Sequence, residues 1–158
     1  MRRPLSLLAL AAGISVPAGA QQNNVTFATG VVLPGTFLNG VPSAELGFMV
    51  APAGTGTVGF GLGLTTLLDP AVHGSFNVMT DVDAVYVEDT RGGPHVFLRG
   101  GATALVMRGM ALGLNGGVGV GVPLGRRTWA RLDYTYRLFL SLGGASMSSV
   151  TLGFGIDY

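Results

Sequence analysis

The sequence predicts an all-β protein: an eight-stranded antiparallel up-and-down transmembrane β-barrel behind a cleaved signal peptide. Three observations predict it. Apolar residues fall on every second position through eight segments. The residues between them are rich in glycine and poor in charge. The first twenty residues have the build of an export leader. A strand with two unlike faces repeats with a period of two, whereas a helix would scatter these glycines around its circumference.

The composition narrows the alternatives. Charged residues are 11% of the 158, hydrophobic residues are 48%, and the net charge is only +1. So weak a charge argues against a disordered polyelectrolyte and against a nucleic-acid surface, which needs a basic patch. The 27 glycines follow no period of three, which excludes a collagen helix. Cysteine is absent, so disulfides, thiolate metal sites and a cysteine nucleophile are excluded.

Residues 1–20 are the expected signal peptide. Arg2 and Arg3 precede the apolar run Leu5 to Val16, and Pro17-Ala18-Gly19-Ala20 supplies small residues before Gln21. The run is too short to span a bilayer, which takes about 20 residues. Cleavage leaves residues 21–158 as the barrel.

The strands follow in order. The first, Val25 to Leu33, is the weakest and puts Val25, Phe27, Val31 and Leu33 on one face. The second, Ser43 to Ala51, alternates Ala44, Leu46, Phe48 and Val50 with Glu45 and Gly47. The third, Thr57 to Thr65, sets Val58, Phe60, Leu62 and Leu64 against Gly59, Gly61 and Gly63. The fourth, Ser75 to Val87, sets Phe76, Val78, Val82, Ala84 and Tyr86 against Asn77, Asp81 and Asp83. The fifth, His95 to Met107, turns Val96, Leu98, Ala102, Ala104 and Val106 away from Arg99, Gly101 and Thr103. The sixth, Ala111 to Val122, opposes Leu112, Leu114, Val118, Val120 and Val122 to Asn115, Gly117, Gly119 and Gly121. The seventh, Thr128 to Leu140, opposes Leu132, Tyr134, Tyr136, Leu138 and Leu140 to Arg131, Asp133 and Arg137. The eighth, Met147 to Tyr158, opposes Val150, Leu152, Phe154, Ile156 and Tyr158 to Thr151, Gly153, Gly155 and Asp157. Proline and glycine clusters separate them, as at Asp69-Pro70, Gly93-Pro94 and Gly143-Gly144.

Most segments have the length a tilted strand needs to cross a bilayer, about 9–11 residues or a little more. The apolar set is continuous and aromatic, which suits lipid, while the glycine-rich set would make a poor solvated surface without a single lysine. A soluble, secreted lipocalin-like barrel is the alternative.

The leader, the eight alternating strands and the ending VTLGFGIDY resemble the small eight-stranded outer-membrane β-barrels of the OmpA/OmpX-like superfamily. Val150, Leu152, Phe154, Ile156 and Tyr158 match that group's C-terminal insertion signal. The resemblance implies a place in the cell outer membrane, reached through the periplasm, with both termini periplasmic. The partners it implies are outer-membrane lipid and the barrel-assembly machinery, the barrel being a monomer. The outer connections, at about 34–43, 68–74, 108–110 and 141–146, are expected to be no longer than the inner turns.

Eight strands enclose a lumen that side chains can fill. The expected lumen charge network is Glu45, Asp81, Asp83, Arg99, Arg131, Asp133, Arg137 and Asp157, paired because buried charges must be. A hairpin centred near Arg91 would set Asp83 opposite Arg99, and one centred near Gly144 would set Arg131 opposite Asp157. The glycine tracts either leave space or admit Phe97, Met79, Met49 and the arginine stems.

No catalytic, cofactor or metal residues are expected. His73, Ser75 and Glu88 supply the groups of a hydrolase triad, and an outer-membrane lipid A deacylase family carries a similar His-x-Ser with a later glutamate. Ser75 and Glu88, however, lie at opposite ends of one strand, roughly 40 Å apart at strand rise. His73 reads as a loop residue, His95 as a rim residue, and Trp129 as an interface anchor or filler. The expectation is a non-enzymatic envelope component with a side-chain-filled lumen. A narrow channel and a lipid-modifying enzyme are the alternatives.

Overall fold

The computed structural model describes residues 21–33, 41–52, 56–68, 77–89, 93–106 and 109–157. The expected leader, Tyr158, His73, Ser75 and Phe76 lie outside the described residues. Eight strands form a closed barrel in chain order: β1 (Gln21–Leu33), β2 (Pro42–Pro52), β3 (Thr57–Leu67), β4 (Val78–Asp89), β5 (His95–Val106), β6 (Met110–Pro123), β7 (Thr128–Phe139) and β8 (Ala145–Asp157). Each pairs antiparallel with its neighbours, and β8 closes on β1 from Asn24↔Asp157 to Leu33↔Ser148. Closure leaves no row of unpaired backbone groups along the wall.

The alternation carries through. From β2 onward the even positions face out and the odd positions face in. Val58, Leu62, Leu64, Leu98, Leu114, Leu132, Leu152 and Phe154 are all 40% exposed or more, whereas Asp81, Arg137 and Asp133 are buried. β1 runs in the opposite phase, with Phe27 and Val31 outside and Asn24, Thr26, Ala28 and Val32 inside. A soluble protein buries its apolar side chains and solvates its charges; this wall does the reverse, and it matches hydrocarbon.

The connections depart from the expectation that the outer ones are no longer than the inner turns. At the end where β1 begins and β8 finishes, the strands are joined across residues 53–56, 90–94 and 124–127. At the other end the β1–β2 and β3–β4 connections, residues 34–41 and 68–77, are about twice as long. The β5–β6 and β7–β8 connections there are short. The two ends are called here the turn end and the loop end.

Two hairpin registers also depart. Asp83 lies opposite Gly101, and Arg99 opposite Val85, a slip of two from a turn centred on Arg91. Arg131 lies opposite Gly153, a slip of four from the expected partner Asp157. The second slip has a visible cause. Leu140–Leu142 form a 3-10 turn (η1) that ends at Gly143, with φ 67°, followed by Gly144 at φ 84°. Left-handed backbone of this kind favours glycine, so the reversal uses Leu140 to Gly144 and centres on Leu142. The Ser141 hydroxyl ties this turn to β6, accepting from the Leu112 N–H at 2.8 Å.

Candidate functional site

Among the described residues charge gathers in the lumen, which is built in three layers. The inward positions near the loop end are apolar: Val32, Val41, Leu67, Met79, Leu105, Ala111, Phe139 and Met147 form one buried cluster. Those near the turn end form a second cluster of Met49, Val85, Val87, Phe97 and Trp129. Between the two plugs lies a belt of charged and hydrogen-bonding side chains.

Three ion pairs organise the belt. Arg137 forks onto Asp81, with Nη2 donating to Oδ2 at 2.5 Å and Nε to Oδ1 at 3.3 Å; its Nη1 donates to the Ser149 hydroxyl at 2.9 Å. Asn115 Nδ2 donates to the same Asp81 Oδ1 at 3.1 Å. Arg99 reaches across the barrel from β5 to Glu45 on β2, Nη1 to Oε1 at 3.3 Å, and its other terminal nitrogen donates to the Thr135 hydroxyl. Arg131 pairs with Asp133, two residues along its own strand. A bidentate guanidinium–carboxylate pair is among the strongest polar contacts a side chain can make.

The expected network thus comes together for Glu45, Asp81, Arg99, Arg131, Asp133 and Arg137, but with different partners. Asp83 does not meet Arg99, and Arg131 takes Asp133. Asp157 stands at the turn end, where its Oδ1 accepts from Asn24 Nδ2 at 2.7 Å and from Trp129 Nε1 at 3.3 Å. Asp83 is 4% exposed, with no guanidinium at ion-pair distance among the described residues.

Of the two readings of Trp129, filler holds and interface anchor does not. It sits inside, 4% exposed, stacked on Phe97 with ring centroids 5.1 Å apart. The Arg131 guanidinium lies 5.0 Å from the centroid of Phe97, which joins the belt to the turn-end plug by a cation–π contact. Its odd position on β7 was the signal for this placement. The neutral partners Asn115, Thr135 and Ser149 were also legible as inward residues, but nothing in a one-dimensional pattern pairs them with a given arginine.

The glycine tract of β6 is what lets the belt fill. At Gly119 the Asp133 carboxylate occupies the space a Cβ would take, and at Gly121 the rings of Trp129 and Phe97 do so. Larger residues here would force the belt and the plug apart. The β6 tract therefore admits side chains rather than holding a channel open.

Of the hydrolase groups only Glu88 is described. It stands near the turn end of β4, its Oε2 accepting from the Tyr86 hydroxyl at 2.6 Å. His95, at the start of β5, has its ring centroid 6.3 Å from that of Phe97. Of the insertion-signal residues, Leu152, Phe154 and Ile156 are exposed on the outer face, and Val150 shares that face. The outer wall also carries a groove of about 630 Å³ across β8, β1, β2 and β3, flanked by Phe27, Leu46, Leu64, Leu152 and Phe154.

No family model matches this sequence, and no curated protein does. Solved structures do match the fold. The N-terminal β-barrel domain of Pseudomonas aeruginosa OprF aligns with a TM-score of 0.63 at 16% identity, covering 89% of this chain and 99% of that one. Ail, the attachment invasion locus protein of Yersinia pestis, aligns at 0.61 and 13% identity, over 89% and 99%. The outer membrane enzyme PagL aligns at 0.65 and 16% identity, over 84% and 98%. The fold is that of the eight-stranded outer-membrane β-barrels.

Proposed function

We propose that this chain is a small integral outer-membrane barrel, a non-enzymatic component of the envelope whose lumen is a structural core and not a passage. The observation that carries this reading is the three-layer lumen. A conducting pore needs a continuous wetted path; here Phe139, Met79 and Leu105 plug one end, Trp129 and Phe97 plug the other, and ion pairs bridge the belt. The apolar outer wall supports residence in lipid, and the shared fold with outer-membrane proteins supports that membrane in particular. Export through the periplasm, insertion by the barrel-assembly machinery and a monomeric state belong to the same reading.

The structural neighbours include an enzyme, PagL, and an attachment protein, Ail. Catalysis would need a base, a nucleophile and an orienting carboxylate within hydrogen-bond reach. Glu88 is committed to Tyr86 near the turn end of β4, and it follows Ser75 by 13 positions in the sequence. That separation favours the non-enzymatic reading. Two measurements test it: conductance of the refolded barrel in planar bilayers, and mass analysis of lipid A from cells with and without the protein. The expected results are no unitary conductance and an unchanged lipid A profile. A reproducible conductance step or a lost acyl chain would overturn the proposal.

A further inference from the structure

The apolar outer face of this barrel is not equally tall all round. β6 is the longest strand, 14 residues, and every outward position on it from Met110 to Val122 is apolar or glycine. At about 3.4 Å per residue and a tilt of about 40°, it rises about 34 Å along the barrel axis, against the roughly 25 Å apolar band of outer-membrane barrels.

The excess lies at the loop end. At the turn end the chain leaves β6 for the exposed Arg126 and Arg127, and a guanidinium is costly inside hydrocarbon, so that end stays at headgroup level. At the loop end the neighbouring β8 turns Ser146 and Ser148 outward, with Ser146 opposite Leu138. Past Leu138 the β7 chain does not turn polar. Leu140 and Leu142 are 60% and 41% exposed, and on β6 Met110 is 68% exposed. Arg108, two residues before Met110, lies outside the described residues.

The backbone of this tip is closed on itself. β6 and β7 stop pairing at Gly113↔Phe139, which leaves Leu112 beyond the ladder. Ser141 serves both of its backbone groups. Its hydroxyl accepts from the Leu112 N–H at 2.8 Å and donates to the Leu112 carbonyl at 3.3 Å. The Gly144 N–H donates to the Phe139 carbonyl at 3.1 Å. The serine of the tip is thus engaged by backbone while its leucines project outward. Water would satisfy such groups unaided. Hydrocarbon cannot, and internal satisfaction is the condition for backbone to lie in it.

We propose that the loop-end tip of β6 and β7, formed by Met110, Leu112, Leu140 and Leu142, is a membrane-docking edge covered by lipid acyl chains. It is continuous with the lipid-facing wall, since the same outward phase runs through it unbroken. A bilayer accommodates an over-tall apolar face by thickening locally or by tilt of the protein. The proposal rests on the membrane reading above and goes beyond it by placing a hairpin tip, and not only the wall, in lipid.

The chain has no cysteine, so single cysteines replacing Leu142, Met110, Leu62 or Gly125 each carry one nitroxide label. Each variant is refolded into dioleoylphosphatidylcholine vesicles and its heat-modifiable form is kept. The label's accessibility to oxygen, which concentrates in hydrocarbon, is compared with that to a water-soluble nickel chelate. Leu62 is the mid-wall reference. Gly125, exposed at the turn end with open space around it, marks the aqueous end of the scale. Leu142→Cys and Met110→Cys are expected to read like Leu62→Cys, open to oxygen and shielded from the chelate. Chelate access at either tip position, with Leu62→Cys shielded, would overturn this proposal and leave the membrane reading standing. Chelate access at Leu62→Cys as well would overturn both. The unsubstituted barrel, refolded with methyl-labelled methionine, gives a second reading by nuclear magnetic resonance. Met49, Met79 and Met147 are buried in the lumen, and Met110→Leu identifies the Met110 methyl by its loss. That methyl is expected to cross-relax with acyl-chain protons. Cross-relaxation with water alone would sink the proposal, even should a cysteine variant fail to refold.

Discussion

Arg137 on β7 grips Asp81 on β4 across the lumen through two parallel hydrogen bonds, both side chains being at most 1% exposed. The strands that carry them are not neighbours, so this contact ties opposite walls of the barrel together. It holds the belt's shape in a way that no hairpin pairing could.

Breaking this pair from one side should be costly. Arg137→Met leaves the Asp81 carboxylate buried without its paired guanidinium, and the expected loss is about 3–5 kcal/mol. The double variant Arg137→Met/Asp81→Leu should lose less than the two single losses combined. Urea unfolding of the refolded barrel in lipid vesicles measures all three variants, and additive losses would mean the residues do not interact.

The two faces of β3 should respond oppositely to substitution. Leu62, outward and 40% exposed, should tolerate arginine poorly, at a cost of roughly 2–4 kcal/mol near the bilayer midplane. Gly63→Ala, one position on and facing in, should stay within about 1 kcal/mol, since its methyl meets only ordinary contacts. Gly61 is the poorer control, because a Cβ there would press on Val85 Cγ2 at 2.9 Å. A harmless Leu62→Arg in vesicles would count for a soluble barrel.

Each plug should act as a core. Trp129→Ala removes the ring stacked on Phe97 and leaves a cavity beside Gly121 and Gly155, so the expected loss is about 3–5 kcal/mol. Phe139→Ala should cost a similar amount at the loop end, where its side chain is fully buried. Neither variant alone should conduct ions in a planar bilayer, because the belt and the other plug remain. Conductance from either would show that a single layer seals the lumen.

Closure should depend on the last strand. β8 pairs with both β7 and β1, and Phe154 meets Phe27 across the closing seam with centroids 5.7 Å apart. Deleting Phe154 to Tyr158 should abolish the heat-modifiable form in outer-membrane extracts, because the seam would expose unpaired backbone to lipid. Phe154→Ala should leave assembly intact and lower stability by about 1 kcal/mol beyond its lost area. Normal assembly of the deletion would make the segment a dispensable tail.

The sequence by itself determined the strands, their faces and the class of the fold. A period of two assigns every side chain to one wall, and the run Val58, Phe60, Leu62, Leu64 against glycine states both the wall and the medium outside it. It also placed Glu45, Asp81, Arg99, Arg131, Asp133 and Arg137 in one lumen. What it could not decide was who meets whom. A slip of two or four residues keeps every face unchanged, so the pattern is blind to it, and the β4–β5 and β7–β8 registers differ from a turn-centred guess by those amounts. The carboxylate partners of Arg99 and Arg137 lie on strands that are not adjacent in the sheet, brought within reach only by closure of the barrel. Which glycines admit a neighbour's side chain depends likewise on what leans in beside them. That is a property of the closed cylinder, because a strand's sequence states its own faces and not the shape of the space they enclose.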